Sequence, residues 1–453
     1  MTDVREGIYS ARYRWTTIGA LSLVFLNAFQ TLAVTTIMPL ISAELDGREL
    51  YALAFAAPLA AGVVGMVIGG NWADRVGPAA PLSVSAVIFT LGLVIAGVAP
   101  SMAVLVLGRL VLGFGGGAVT VALYVLIARV FPATLHPKVF AGFSTAWVVP
   151  ALVGPAVAGF IAEGIGWRWV FLAVVVLVAG STGLILPSVR ALTPAEGDAP
   201  PWALRRIAWS VLAAAAVLAV SLSGQAGEES ASESAVPIVL AVVAAAVALF
   251  AARTLVPRGT LLARRGLPSI ILLRGLVSAT FFGAEVYIPY LLQAEYGFDA
   301  AIAGLALTGG TLTWATAAQL QGSARLSDAA CLTGGSLLLL ASTSVVIVAT
   351  VLMLHPAVLM VGWAIGGAGM GLAFPRLNTM TLARSAIREQ GFNSAALTIA
   401  QSLGAALALA VTGVVVAYFA SLGGAVSFVA VFVLAALFAL AAVIVSPRVR
   451  ELR

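Results

Sequence analysis

Two charged side chains stand inside long apolar stretches, where a charge needs a specific role. Glu285 is the sole acid of residues 269–293, and Arg109 lies inside residues 102–128, well away from both ends. A charge in hydrocarbon costs about 3 kcal/mol or more, so both side chains are expected to face a polar interior. A carboxyl group taken out of water favours its neutral form, and such a group can exchange a proton for a cationic ligand. We therefore expect Glu285 and Arg109 to take part in proton coupling.

Both residues also have a structural interpretation. Glu285 can serve as a neutral hydrogen-bonding group or lie near the outer rim of its helix. A salt bridge with Arg274 is excluded within one helix, because eleven residues correspond to about 16 Å along its axis. Arg109 can bind carbonyl groups or polar side chains of the first apolar stretch, such as Asn27 and Gln30.

Aromatic and amide side chains in the apolar stretches can bind flat, cationic or polar ligands. The same side chains also pack against lipid or join neighbouring helices, so a structural role stays open for each of them. The predicted substrate-binding residues are Asn27, Gln30, Trp147, Phe281, Phe282, Tyr287, Tyr290, Trp314, Asn378 and Asn393.

The sequence lacks the residue groups that metal and catalytic sites require. The single cysteine, Cys331, permits no disulfide within the chain and no cysteine metal cluster, and His136 and His355 fall near opposite predicted helix ends. No GxxxxGK[ST] phosphate loop occurs, which disfavours an ATP-driven pump. We expect no catalytic residue, no metal, no cofactor and no enzymatic activity.

Membrane helices must position these side chains. Of the 453 residues 61% are hydrophobic and 9% are charged, whereas a soluble protein averages about 25% charged. Apolar runs long enough to cross a bilayer predict fourteen helices arranged six plus two plus six. The predicted spans are 15–42, 50–72, 79–98, 102–128, 139–162, 167–187, 207–223, 236–252, 269–293, 300–320, 330–354, 356–380, 392–420 and 424–446. The predicted fold class is an all-α polytopic membrane protein.

The charges between the spans predict the topology. With both termini in the cytoplasm, 19 of the 24 basic residues fall in cytoplasmic segments, as the positive-inside rule requires. This bias explains the net charge of +6 without a nucleic-acid partner. An acidic turn at 227–235 lies on the outer side. The Arg- and Ala-rich composition resembles that of a high-GC bacterial genome, so we expect a multi-pass protein of the bacterial cytoplasmic membrane.

The two predicted six-helix blocks carry an internal repeat. Gly113, Gly115 and Gly117 match three glycines 254 positions later, and Pro39 matches Pro289 at an offset of 250. Two similar bundles imply a binding site at their interface, near the middle of the membrane. The predicted domains are an N-terminal bundle at 1–187, a linker with two extra helices at 188–266 and a C-terminal bundle at 267–453.

Three motifs in the first block resemble those of a known family. GGNWADRVG at 69–77 resembles the signature turn of the major facilitator superfamily, although the basic residues that usually follow it are absent. GRLVLGFGGGA at 108–118 resembles the fourth-helix motif with its buried arginine, and VPALVGPAVAGFI at 149–161 resembles the fifth-helix motif of exporters. The six-plus-two-plus-six plan is most similar to the fourteen-helix drug:proton antiporters.

This resemblance assigns expected roles to the motif residues. It implies a conformational latch at the signature turn, where Asp74 meets a helix end of the second bundle, although the turn can equally serve as a topology signal. It also implies a hinge in the fifth helix. The latch residues are Gly69, Asp74, Arg75 and Gly77, and the hinge residues are Gly154, Pro155 and Gly159.

One position departs from the family pattern. The antiporters usually carry an aspartate nine residues before a proline in the first helix, and the residue nine positions before Pro39 is Gln30, which cannot carry a proton. The leading hypothesis is nonetheless proton-coupled efflux of amphipathic, cationic or aromatic small molecules by a monomer in the bilayer. The alternatives are an exporter or flippase of an endogenous lipid or metabolite, and a membrane sensor or scaffold that transports nothing.

Overall fold

A computed structural model describes residues 7–132, 135–190, 201–223, 236–323, 326–385, 390–419 and 425–450. Regular secondary structure in these ranges is helical throughout. The α-helices are α1 Arg14–Glu44, α2 Tyr51–Val76, α3 Ala79–Gly97, α4 Met102–Val130, α5 His136–Gly164, α6 Arg168–Arg190, α7 Leu204–Ser223, α8 Val236–Ala252, α9 Leu267–Glu285, α10 Tyr287–Tyr296, α11 Ala300–Ser323, α12 Asp328–Val351, α13 Pro356–Ala383, α14 Gln390–Phe419 and α15 Val426–Val445. Short 3-10 helices lie at Arg48–Leu50 and Ser446–Val449.

Most of these helices can cross a membrane. Within the described ranges, eleven helical segments are long and apolar enough to do so, and α5 and α8 contribute shorter apolar stretches at 153–164 and 239–252. The predicted all-α polytopic class is confirmed, and the protein is a multi-pass membrane protein. Helices α7 and α8 lie where the two extra linker helices are predicted, while the acidic turn at 227–235 lies outside the described residues.

The predicted span at 269–293 is confirmed as one membrane-spanning segment, Leu267–Tyr296, within which the α-helix is interrupted at one residue. Helix α9 ends at Glu285 and α10 begins at Tyr287, with Val286 between them. Pro289 explains the break, since its ring nitrogen has no hydrogen to donate to the Glu285 carbonyl and its ring crowds that oxygen. Glu285 is therefore the last residue of a helix rather than the middle of one.

The described helices fall into two compact units. Unit 1 comprises Met1–Ile37 and Ala61–Ile207, and unit 2 comprises Met38–Ala60 and Ala208–Arg453. The last turns of α1 and the first turns of α2 thus belong to unit 2. The division predicted from the sequence, at 187 and 266, stays a prediction.

Glycines bring helix backbones into contact within unit 1. A Cβ atom on Gly117 of α4 would overlap the Gly62 carbonyl of α2, and one on Gly115 would overlap the backbone of Phe89 in α3. A Cβ atom on Gly69 of α2 would likewise lie 2.9 Å from the Cα atom of Ala118. Small residues allow such close approach, which is how helices pack in lipid.

Unit 2 repeats these contacts at equivalent positions. A Cβ atom on Gly371 of α13 would overlap the Trp314 carbonyl of α11, and one on Gly369 would lie 3.1 Å from the Leu339 nitrogen of α12. Gly404 of α14 similarly faces the Gly275 carbonyl of α9. The glycine repeat seen in the sequence therefore places the same pair of helix crossings in each unit.

Candidate functional site

Five aromatic side chains form an inner aromatic cluster in unit 2. Phe281 stacks on Trp363 with ring centroids 4.4 Å apart and meets Trp314 edge-on at 5.5 Å. Trp314 continues the contact to Phe374 at 5.2 Å, and Phe282 packs on Phe281 at 5.6 Å. Trp363 is 3% exposed, whereas Trp314 and Phe282 are partly exposed. The cluster thus has accessible ring surface, while its base is fixed in the core.

A second set of rings, the outer aromatic cluster, follows the helix break. Tyr51 of α2 lies 4.9 Å from Tyr290 and 6.1 Å from Tyr287 between ring centroids, and Tyr290 packs edge-on against Phe428 at 5.4 Å. The Tyr51 hydroxyl donates a hydrogen bond of 3.0 Å to the carbonyl oxygen of Val286. Tyr51 therefore binds the backbone directly at the break.

Glu285 lies along the chain between the two clusters. Its side chain is partly exposed, and it forms no hydrogen bond or ion pair with any residue that the structure describes. A structural role for Glu285 as a neutral hydrogen-bonding group would need a partner beside its carboxyl group, and no residue in the described ranges provides one. A partly accessible, uncompensated carboxyl group at a helix break is available to bind a proton or a cation.

Arg274 is a residue whose role the sequence did not reveal. Its guanidinium group donates two hydrogen bonds, of 3.2 and 2.8 Å, to Gln401 Oε1 and a third, of 2.9 Å, to the Phe374 carbonyl. The guanidinium carbon also lies 3.1 Å from the centroid of the Phe374 ring. Arg274 is 5% exposed and joins α9 to α13 and α14 at the base of the inner aromatic cluster.

We expect the Arg274→Met variant to lose about 1–3 kcal/mol of unfolding free energy, because Gln401 Oε1 would lose both hydrogen bonds that Arg274 donates to it and would stay unpaired in a partly buried position. Thermal unfolding of the purified protein measures this loss. The double variant Arg274→Met/Gln401→Met should cost clearly less than the two single variants added together, since the second change removes the stranded acceptor. Strict additivity would contradict a direct interaction between the two side chains.

In unit 1, Arg109 is buried in α4 with 4% of its surface exposed. The predicted alternative partner Gln30 does not accept a hydrogen bond from it. Gln30 Nε2 donates to the Val170 carbonyl at 2.9 Å, while its Oε1 atom has no partner among the described residues. Asn27 faces α4, and its Oδ1 atom lies 3.0 Å from where a Cβ atom on Gly116 would stand.

The signature turn connects α2 to α3 and is organised by Arg129 at the end of α4. The Arg129 guanidinium lies 3.1 Å from where a Cβ atom on Gly77 would stand, and it interacts electrostatically with the exposed carboxylate of Asp74. Gly77 has φ +84°, a left-handed conformation that favours glycine. The turn thus has the local geometry that the motif requires.

The end of the first linker also contacts this turn. The Trp202 ring stacks on Arg75 with 5.0 Å between the guanidinium carbon and the ring centroid. The Ala203 amide donates to Asn71 Oδ1 at 3.2 Å. Asn71 and Arg75 stand one helical turn apart on α2, so they hold two consecutive linker residues. The sequence predicted only that this segment begins the linker between the two bundles.

The remaining predicted residues lie in several places. In α5, Gly154 and Pro155 are buried, Gly159 is buried one turn later, and Trp147 is 38% exposed. Gly154 faces the Phe29 ring of α1, with 3.6 Å between a Cβ atom and that ring. Asn378 is exposed near the end of α13, and Asn393 is buried with a hydrogen bond from Nδ2 to Ser385 Oγ. No hydrogen bond links either asparagine side chain to the aromatic clusters in the described ranges, although Asn378 lies one helical turn after Phe374 on α13.

Comparison with known families identifies the relatives of this chain. The family model described as Major Facilitator Superfamily matches residues 20–284. A Mycobacterium tuberculosis protein named "Probable multidrug-efflux transporter" is 30% identical over 225 residues, which is 47% of this chain and 46% of that protein. Multidrug resistance protein 3 of Bacillus subtilis is 24% identical over 66% of this chain and 59% of its own length. The chain spans about half the length of these curated relatives.

Solved structures share the fold at low sequence identity. A POT family transporter in complex with 5-aminolevulinic acid superimposes with a TM-score of 0.72 and 13% identity, covering 98% of each chain. A D-xylose-proton symporter gives a TM-score of 0.65 at 16% identity, covering 95% of this chain and 97% of that one. The likeness supports the helical architecture and nothing finer.

Proposed function

Because the chain belongs to the Major Facilitator Superfamily and is thus a membrane transporter rather than an enzyme, we propose that it exports amphipathic, cationic or aromatic small molecules in exchange for protons. The observation that carries this proposal is Glu285, an uncompensated carboxyl group between two aromatic clusters. Ring faces bind flat and cationic molecules, and a nearby carboxylate adds charge complementarity. The named efflux relatives support the direction of transport.

In the proposed cycle, Glu285 holds either a proton or the positive charge of the substrate. Binding of a cation to the carboxylate releases the proton, and uptake of a proton releases the cation, so the two are exchanged. Trp314, Phe282 and Tyr290 supply the ring surface during this exchange. Arg274 keeps α9 in register with α13 and α14, so that Glu285 stays in place while its ligand changes.

The other predicted roles complete the proposal. Arg109 tunes the protonation event from α4, and Asn27, Gln30, Trp147, Asn378 and Asn393 contribute substrate contacts in other states of the cycle. The signature turn serves as the latch, and the buried Gly154, Pro155 and Gly159 let α5 bend. We place the transporter as a monomer in a bacterial cytoplasmic membrane with both termini inside.

A second candidate function is export of an endogenous lipid or metabolite. It is favoured by Gln30, which replaces the usual carboxylate of the first helix and is bound to the Val170 carbonyl instead. With one coupling carboxylate fewer, an electroneutral or uncoupled export of an uncharged molecule becomes feasible. A lipid that copurifies with the protein in stoichiometric amount would favour this alternative.

Everted membrane vesicles that contain the protein test the proposal. An acidic vesicle lumen, from which protons flow outward through the transporter, should drive accumulation of the cationic dye ethidium inside, and a protonophore should abolish the accumulation. A panel of cationic, neutral and anionic aromatic dyes defines the charge preference. Unchanged dye movement after collapse of the proton gradient would contradict proton coupling, and a lack of movement for every dye would contradict the substrate class.

A further inference from the structure

A separate cavity of about 200 Å³ lies in unit 2, beyond the outer aromatic cluster. Its walls come from the end of α1, the short 3-10 helix that follows it, the start of α2, and α10. The residues that give it chemical character are Ser42, Arg48, Tyr51, Tyr290 and Gln293. Gln293 follows Glu285 by eight residues, about 12 Å along a helix, so the cavity is distinct from the coupling carboxylate.

Gln293 brings an unused donor to this cavity. Its Nε2 atom is fully buried yet has no hydrogen-bond partner among the described residues. A buried amide that lacks an acceptor is destabilising, so such a group in a native protein calls for a partner. Because the Gln293 side chain is partly exposed and lines the cavity, rotation of its amide can turn Nε2 toward the acceptor oxygen of a bound ligand.

The other walls define what kind of molecule carries the acceptor. Arg48 adds a guanidinium group, which matches a carboxylate in charge and geometry. Tyr51 and Tyr290 add two rings whose centroids are 4.9 Å apart. The Tyr51 hydroxyl is already bound to Val286, so this residue offers its ring face rather than a hydrogen bond. One end of the cavity is therefore donor-rich and the other is aromatic.

We propose that this cavity is a binding site for a small aromatic carboxylate, with the carboxylate at Gln293 and Arg48 and the ring against Tyr51 and Tyr290. Its volume is about that of six or seven water molecules, which admits one ring with a short acidic group. It is smaller than the roughly 300 Å³ at which drug-sized pockets begin. The site shares Tyr290 with the ring surface proposed for transport, but ligand binding there needs neither Glu285 nor a proton gradient.

Acidic residues in the same loop oppose the binding of a carboxylate. Glu44, Asp46 and Glu49 flank Arg48 in the sequence and lower the local positive potential. A carboxylate must therefore gain its affinity from direct contacts inside the cavity rather than from long-range attraction. The charge of the preferred ligand therefore distinguishes two cases. A carboxylate site binds the anion more tightly, whereas a site governed by the surrounding acids binds the cation more tightly.

Equilibrium binding to the purified full chain in detergent, without any gradient, tests the inference. We expect benzoate to bind and benzylammonium, its charge-reversed analogue, to bind at least about tenfold more weakly. Gln293→Leu and Arg48→Gln should each weaken benzoate binding about tenfold. Arg48 is exposed, so its replacement leaves folding intact even if Gln293→Leu perturbs it.

Two matched variants control for nonspecific effects. Gln319→Leu removes an exposed amide from α11, and Arg258→Gln removes an exposed arginine from the connection before α9, so neither should change benzoate binding. Absence of saturable benzoate binding would overturn the proposal, as would stronger binding of benzylammonium. Equal loss of affinity in the control variants would also overturn it.

Discussion

Replacement of Glu285 by glutamine is expected to abolish proton-driven export while the protein remains folded and able to bind substrate. Glutamine has nearly the same size as glutamic acid, but it neither takes up a proton nor carries a negative charge. Glu285 has no described partner whose loss would destabilise the fold. The variant should therefore separate coupling from folding.

Two assays on reconstituted vesicles make this separation visible. Proton-driven ethidium transport should fall to the level of vesicles without the protein. Exchange of internal for external dye, measured without a proton gradient, should fall less, because the aromatic clusters still bind the ring system. Glu295→Gln, which changes an acid near the end of α10, is the matched control and should transport normally. Full gradient-driven transport by Glu285→Gln would remove Glu285 from the mechanism.

The Gly367→Ala variant is expected to lose a large part of the protein's stability through the addition of a single methyl group. A Cβ atom on Gly367 of α13 would overlap the backbone carbonyl of Gly310 in α11, so neither a rotamer change nor a flexible side chain can relieve the clash. Backbone displacement is the remaining response. We expect a loss of about 3 kcal/mol or more in unfolding free energy.

Thermal unfolding and the yield of monodisperse protein measure this effect. Gly309→Ala is the matched control, because it adds the same methyl group to the neighbouring helix where no atom lies within 4 Å. This control should be neutral or stabilising by up to about 1 kcal/mol, since alanine favours a helix more than glycine does. Equal stability of the two variants would contradict the backbone contact between α11 and α13.

The helix crossings were predictable because their signal is local. Three glycines two positions apart, repeated 254 positions later, leave two faces of a helix without side chains, and the structure places the backbone of neighbouring helices against them. Positive charges next to apolar runs similarly fix where spans end. Both features depend on residue type and spacing within a few turns of one helix.

Features that depend on contacts far apart in sequence were not predictable. Arg274 is held by Gln401, 127 positions away, and no local pattern links the two residues. Gln30 bonds to the Val170 carbonyl, 140 positions away, rather than lying free for a substrate. Trp202 stacks on Arg75, 127 positions away. Such partners become visible when the helices are assembled.

The sequence contains the proline that accounts for the helix break at Val286, but it does not show that the helix breaks there. Pro39 and Pro289 are equivalent in the internal repeat, yet α1 continues through Pro39 while α9 ends before Pro289. Proline weakens a helix at both positions, and the surrounding contacts decide the outcome. At Val286, the Tyr51 hydroxyl supplies a hydrogen bond that stabilises the interrupted backbone.

The break gives the two helices of this span unequal local stability. Helix α9 contacts α14 backbone to backbone at Gly275 and Gly404, so opening it requires separation of whole helices. Helix α10 is held by side chains instead, through the rings of Tyr51, Tyr290 and Phe428 and through its own buried apolar residues. Segments with fewer fixed contacts open at lower free energy than the global unfolding transition. We therefore expect partial unfolding of this span to begin after Glu285, so that the Glu285 carboxyl group stays on the part that remains folded.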